Sequence, residues 1–249
     1  MKIGLIIVGD EVLSGRRTDA HLPKVIEMLK ARNLLLSWVT VMGDSKDILD
    51  ETYRRTLASD DLVFSTGGIG ATPDDMTRES VARALGVPVE RHPEGKLIIE
   101  EFMRQRNRTP SEERYRLIEF PRGARLIPNP VNTIPGFSVN HHHFVPGFPE
   151  MAWPMIEWVL DNHYAHLSEN PYQERAVLVI NQYESAMIPL LELTEQEHPR
   201  IKVFCLPMMD SEYPKNEIGV KGHPLDVKPA FEFLRRLLNE KEYEWQRLD

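Results

Sequence analysis

Up to Asn162, short runs rich in β-branched residues alternate with longer stretches in which apolar positions recur at helical spacing. Ile3–Val8, Leu34–Met42 and Leu62–Ser65 are predicted as strands, and Asp19–Arg32, Lys46–Ser59 and Asp74–Leu85 as helices. Strand, helix, strand in repetition marks βαβ units around a mostly parallel sheet. Ser45 and Thr72 stand where helices start, Asn33 and Gly86 where they end. After Val87 the rhythm weakens. A helical stretch Glu94–Arg106, a Pro-punctuated region Pro121–Pro135, a hairpin Phe137–Val145 turning near Asn140, and a helix Glu150–Asn162 follow.

The segment His163–Gln173 is polar, contains Pro171 and has no period, which predicts a linker. Beyond it, Arg175–Asn181, Ile201–Leu206 and Glu217–Lys221 are predicted strands, and Ser185–Glu197 and Asp226–Glu240 helices, a small βαββα pattern. Val227, Phe231, Leu234 and Leu238 share one face of the last helix, so it is expected to pack on its own sheet. The expected organisation is an α/β domain over residues 1–165 and a small α+β domain over 174–249.

Composition changes this picture little: 249 residues, 41% hydrophobic and 27% charged, are ordinary for compact domains. A net charge of −8 argues against nucleic acid as partner, because gripping phosphates along a strand needs a basic face. The single cysteine, Cys205, cannot pair within the chain and sits between apolar neighbours, which fits a reducing compartment. The apolar run Ile3–Val8 is too short for a secretory signal, and no segment approaches the ~20 residues of a membrane span. A cytoplasmic protein without a membrane partner is expected.

The segment with most chemistry is Thr66-Gly67-Gly68-Ile69-Gly70, between a strand and a helix. Glycines there let a ligand approach the backbone, and free amides ahead of a helix start suit a phosphate. Neither a dinucleotide fingerprint nor a Walker loop is present. Pro73 stands where the third glycine of the former belongs, and Gly9–Gly15, the other glycine-flanked loop, has five intervening residues and Arg16-Arg17 after it. Asp75 reads equally as a helix-start acid, with Thr72 as cap and Pro73 in the first turn, or as a ligand of a cation beside the phosphate. The loops after the first two strands leave the same sheet edge, so Asp10, Glu11, Asp19 and Asp44 are candidates to converge on Asp75, while each alone reads first as a solvated loop acid or helix cap.

Three other features carry weaker signals. The arginines between Arg104 and Arg125 are expected to pair mostly with Glu100, Glu101, Glu112 and Glu113, leaving Arg114 or Arg116 to reach a ligand. His141-His142-His143 alternate in direction on a hairpin, cannot all meet one metal, and read as a polar hairpin tip. Gly219-Val220-Lys221-Gly222 has the spacing of a nucleic-acid clamp loop, but its acidic surroundings favour a structural turn.

Five ordered blocks, Val8–Gly15, Met42–Asp44, Ser65–Thr77, Ile127–Gly136 and Val145–Met151, resemble the molybdopterin-binding domain of the CinA family, which is related to MoaB and MogA. The resemblance covers about residues 1–165. It implies a three-layer α/β/α domain whose glycine turn holds a ligand phosphate, with Asp44 and Asp75 near the reacting group. Ligand contacts are accordingly expected from Thr66, Gly67, Gly68, Ile69 and Gly70, from Gly9, Asp10, Glu11, Ser14, Gly15 and Asp19, and from Pro146 and Gly147. Thr109–Tyr115 departs from the pattern, replacing an Asn-containing stretch. Full-length bacterial members continue into a nicotinamide-nucleotide deamidase domain, for which this chain has no room, so that activity is not expected.

The leading functional expectation is a hydrolase of a nucleotide diphosphate such as ADP-ribose or FAD. Asp75 and Asp44 would be catalytic and would hold Mg²⁺ or another divalent metal, while the Gly67–Gly70 amides hold one phosphate. The alternative is a noncatalytic molybdopterin-binding module linked to molybdenum-cofactor biosynthesis. Either way the partner is a small pterin or nucleotide, and the resemblance implies a homo-oligomer.

Overall fold

The computed structural model describes residues 1–169, 172–208 and 213–248. They form two compact units, Met1–His166 and Leu167–Asp249. Pro171, part of the expected linker, lies outside the described residues; just before it Ala165–Glu169 forms a 3₁₀ turn.

The first unit runs β1 (Ile3–Val8), α1 (Asp10–Leu13), α2 (His21–Lys30), β2 (Trp38–Met42), α3 (Lys46–Leu57), β3 (Leu62–Thr66), α4 (Thr77–Leu85), β4 (Val89–Arg91) and α5 (Pro93–Arg104). It continues through α6 (Glu112–Tyr115), β5 (Glu119–Pro121), β6 (Arg125–Ile127), β7 (Gly136–Val139), β8 (His142–Val145) and α7 (Pro149–His163). Six strands make one sheet in the order β2-β1-β3-β8-β7-β6. β1, β2, β3 and β8 are parallel, and β7 and β6 join antiparallel. This is the expected α/β class with a mostly parallel sheet.

β1, β3, β7 and β8 are buried along their whole length, as strands covered on both faces must be. On one face Ile6, Val8, Val63, Phe137 and Phe144 pack with Leu49 and Tyr53 of α3, Val81 of α4 and Ile99 of α5. Phe120, Phe137 and Phe144 stack in sequence at centroid distances of 4.8 and 4.5 Å, and Tyr53 meets Phe144 edge-on at 5.5 Å. Alternation turns the buried Leu5 and Ile7 to the other face. The helices α2 and α7 bury Val25, Met28, Leu29, Met155, Ile156 and Val159, and Arg32, just past the end of α2, pairs with Asp161 of α7 at 2.8 Å.

Several local expectations need correction. β2 begins at Trp38 rather than Leu34, because Asn33 turns left-handed (φ 57°) and the Leu34 N–H closes the end of α2 on the Leu29 carbonyl. The first loop holds a helical turn, α1, and the Pro-punctuated region begins with the short strands β5 and β6. The hairpin turns at Asn140 as expected (φ 50°), but His142 and His143 are no polar tip: both are 1% exposed within β8. β8 is an interior strand, so its residues of either direction are covered.

The second unit contains β9 (Gln173–Ile180), α8 (Glu184–Glu197), β10 (Lys202–Met208), β11 (Lys215–Gly222), α9 (Pro224–Glu240) and β12 (Trp245–Arg247), with antiparallel order β10-β11-β9-β12. Val227, Phe231, Leu234 and Leu238 face Val177, Val179, Ile218 and Val220 in its core, as the sequence pattern predicts. Gly219 and Gly222 belong to β11 rather than to a turn, and a side chain at Gly219 would strike the Phe204 ring and the Arg175 carbonyl. Cys205 is half-buried, its thiol pushed up to about 11 by desolvation, so it is not an activated nucleophile.

Candidate functional site

Parallel β1, β3 and β8 deliver their following loops to one edge of the sheet, where α/β proteins bind ligands. A cleft of about 580 Å³ opens there, a size usual for small-molecule sites. One side is the turn Gly68–Thr72 with Asp74 and Asp75, and Glu11 and Arg17 come from the first loop. Leu117, Ile134, Pro135, Phe148 and Met151 supply apolar surface.

The glycine turn is fixed by close packing. Gly67 (φ 94°) and Gly68 (φ 68°) are left-handed, and a Cβ would fall on the Val8 carbonyl oxygen at Gly67 and on the Thr77 hydroxyl at Gly68. The Gly67 N–H donates to the Val145 carbonyl at 3.0 Å and the Thr77 N–H to the Gly68 carbonyl at 3.0 Å. Gly147 passes over the turn closely enough that its Cβ would lie 3.4 Å from the Gly67 Cα.

Asp75 folds back into the turn instead of starting a helix. Its Oδ1 accepts the Gly70 N–H at 2.8 Å, and its Oδ2 accepts the Thr72 N–H at 2.9 Å and the Thr72 hydroxyl. Helix α4 therefore begins at Thr77 with Met76 as cap, not at Asp74, and Thr72 and Pro73 belong to the loop. A guanidinium holds the same turn from behind: Arg78 donates to the carbonyls of Gly70 and Arg116.

Of the residues expected at the ligand, Gly68, Ile69, Gly70, Glu11, Asp75, Pro146 and Gly147 line the cleft. Thr66, Gly67, Gly9, Asp10, Ser14, Gly15, Asp19 and Asp44 are not among the lining residues. Thr66 is buried, its hydroxyl donating to the Ile6 carbonyl at 3.5 Å. Asp19 holds the start of α2, accepting from the His21 and Leu22 amides at 3.0 and 2.9 Å. Asp10 and Asp44 exchange bonds, each carboxylate accepting the other's N–H, at 3.0 and 3.2 Å. Burial raises the Asp44 pKa, the Asp10 amide opposes this, and the charges of Asp10, Glu11 and Asp74 push it further up.

The sequence reading missed Arg17, Asn129, Asn132, Phe148 and Met151 as lining residues. The last four lie inside the blocks that carry the family resemblance, which was the available signal; Arg17 had none beyond its loop. Arg17 lies over the Phe148 ring at 5.9 Å. Asn129 knits its loop by donating to Asn132 Oδ1 at 2.8 Å and to the Ile134 carbonyl at 3.0 Å. Neither Arg114 nor Arg116 lines the cleft, and the arginine pairing is thinner than expected. Arg104 pairs with Glu101, Arg91 with Glu112, while Arg106 and Arg114 stack on Phe102.

A divalent cation finds no ready donor set here. Among the described residues no three His, Cys, Asp or Glu side chains are grouped to hold one ion, and both oxygens of Asp75 are engaged by the turn.

The family described as "Probable molybdopterin binding domain" matches residues 4–166. The chain belongs to this family. A CinA-like protein of Anaeromyxobacter dehalogenans is 36% identical over 176 residues, 69% of this chain and 43% of that protein. A protein of Pyrobaculum arsenaticum is 30% identical over 212 residues, 82% of this chain and 78% of its own length. Among solved structures, the CinA protein of Thermoplasma acidophilum, described as of unknown function, superimposes with a TM-score of 0.57 at 26% identity, over 65% of this chain and 98% of that one. The chain thus spans less than half the length of the Anaeromyxobacter relative. No helix among the described residues is long and apolar enough to cross a membrane.

Proposed function

We propose that residues 1–166 form a binding module for molybdopterin or a related phosphorylated pterin, which holds the ligand without turning it over. The observation that carries this reading is the division of the cleft into an anion-accepting and an apolar part. The N–H groups of Gly68, Ile69 and Ala71 have no hydrogen-bond partner among the described residues, and they lie ahead of α4, whose dipole favours an anion. The exposed Phe148 ring with Ile134, Pro135 and Met151 suits a flat heterocycle. Asn132 Nδ2, bonded only to the Met151 sulfur at 3.0 Å, is a donor within reach of a ring edge. The family description supports the same ligand class.

Metal-dependent hydrolysis of ADP-ribose or FAD is the second reading. The charges of Asp10, Glu11 and Asp74 add to burial in raising the Asp44 pKa, and this favours it, since a cation at Asp44 would offset them. The engagement of Asp75 by its own turn weighs against it.

Titrating the protein with molybdopterin, with EDTA and then with Mg²⁺, while assaying AMP release from ADP-ribose and FAD, separates the two. Saturable binding indifferent to EDTA, without AMP, is the expected result; AMP appearing only with Mg²⁺ replaces the binding module with the hydrolase. The same reading takes the protein as a cytoplasmic homo-oligomer, and light scattering on the eluting protein tests the assembly.

A further inference from the structure

Arg78 is the second residue of α4 and only 4% exposed. Charged side chains are rarely buried this far unless an opposite charge meets them. Among the described residues Arg78 forms no ion pair: its terminal nitrogens donate to the Gly70 and Arg116 carbonyls, and its Nε has no partner. Burial lowers its pKa, with Glu79, Asp75 and Glu119 acting in the opposite direction from farther away, yet a guanidinium starts so high that it stays charged. A full positive charge beneath the glycine turn thus has only neutral carbonyls as hydrogen-bond partners, with the acids that favour it beyond ion-pair distance, in a chain of net charge −8.

The carbonyl of Gly70 belongs to the same peptide unit as the N–H of Ala71, which lines the cleft and has no partner. A cation on the oxygen end of a peptide strengthens the donor at its other end. The second carbonyl, of Arg116, precedes Leu117, also in the lining. One side chain therefore ties together two segments of the cleft wall and polarises a free amide between them. A strut alone would need two donors and no charge; the charge is what a structural role leaves unexplained.

We propose that Arg78 is a positioning residue for the ligand's anionic group: through the Gly70–Ala71 peptide its buried charge makes the cleft select phosphorylated pterins over their neutral counterparts. This rests on the binding-module reading.

The test uses neopterin monophosphate and neopterin as probes, with affinities from pterin fluorescence at two salt concentrations. The wild-type protein is expected to prefer the phosphorylated probe, and less so at high salt. Arg78→Met loses both fork and charge, so it should weaken both probes, and the phosphorylated one about tenfold more than neopterin, the scale of one charge interaction in a partly buried site. Arg78→Lys keeps the charge but loses the fork; it should weaken both probes while retaining the preference, and it decides the matter alone if Arg78→Met fails to fold in a urea titration. An unchanged preference in Arg78→Met, an equal loss of both probes there, or a lost preference in Arg78→Lys overturns the proposal. Binding of neither probe by the wild-type protein overturns the binding-module reading, and this inference with it.

Discussion

The Asp75 carboxylate accepts the Gly70 N–H at 2.8 Å, so the acid and the glycine turn form one closed structure. Replacing Asp75 with Ala leaves two turn amides without their acceptor, and a loss of about 1–3 kcal/mol in unfolding free energy is expected from urea titration. Asp75→Asn keeps one acceptor oxygen and should lose less. Both should weaken pterin binding in step with the loosened turn, whereas a residue that served only to hold a metal would leave stability intact.

Gly67 and Gly86 are both left-handed, at φ 94° and 68°, but their surroundings differ. A Cβ at Gly86 meets nothing within 4 Å, so Gly86→Ala should cost only the conformational penalty of about 1–2 kcal/mol. Gly67→Ala adds a collision with the Val8 carbonyl and should cost about 3 kcal/mol or more. Thermal unfolding of the two variants side by side checks the difference.

Phe148 is 52% exposed and lines the cleft, so its ring contributes little to the core. Phe148→Ala should leave the melting temperature near wild type. If a pterin stacks on the ring, affinity should fall by about 1–3 kcal/mol, the usual worth of a base on an aromatic platform. An unchanged dissociation constant would remove Phe148 from the site.

Burial pulls His142 down to about 4 and His143 to about 3. For a histidine depressed on folding, the unfolded chain takes up the proton first, so stability is complete above about pH 6.5 and declines as pH falls toward the folded values. His142 alone should cost about 3 kcal/mol between pH 7 and pH 4. Its ring nitrogens have no partner, so His142→Leu should be no less stable at pH 7 and should flatten the decline in urea midpoints measured across that range.

The parallel core was legible because Ile3–Val8 and Leu62–Phe64 are apolar runs, the pattern of strands covered on both faces. The cleft was half legible. Local glycine chemistry announces the turn, but nothing in the spacing of Asn129, Asn132 and Phe148 says that they return to it; β8 lying against β3 brings them there. Of the two roles that the sequence offers Asp75, the helix-start acid fails although Thr72-Pro73 carries that signature, because the bond to Gly70 that decides it involves no local rule. The two histidines show the same limit. A polar triplet at a hairpin reads as exposed unless one knows that its strand lies inside the sheet.

The bond from the Gly67 N–H to the Val145 carbonyl sets an order of assembly. The glycine turn leaves the ribosome long before the strand that backs it and the loop that completes its pocket. A nascent chain that stops short of Gly136 carries every glycine of the turn and no β7 or β8 beside it. The cleft is therefore incomplete until Met151 has emerged, and a chain caught earlier shows the protein-quality machinery an open sheet edge at β3 where the finished molecule has β8.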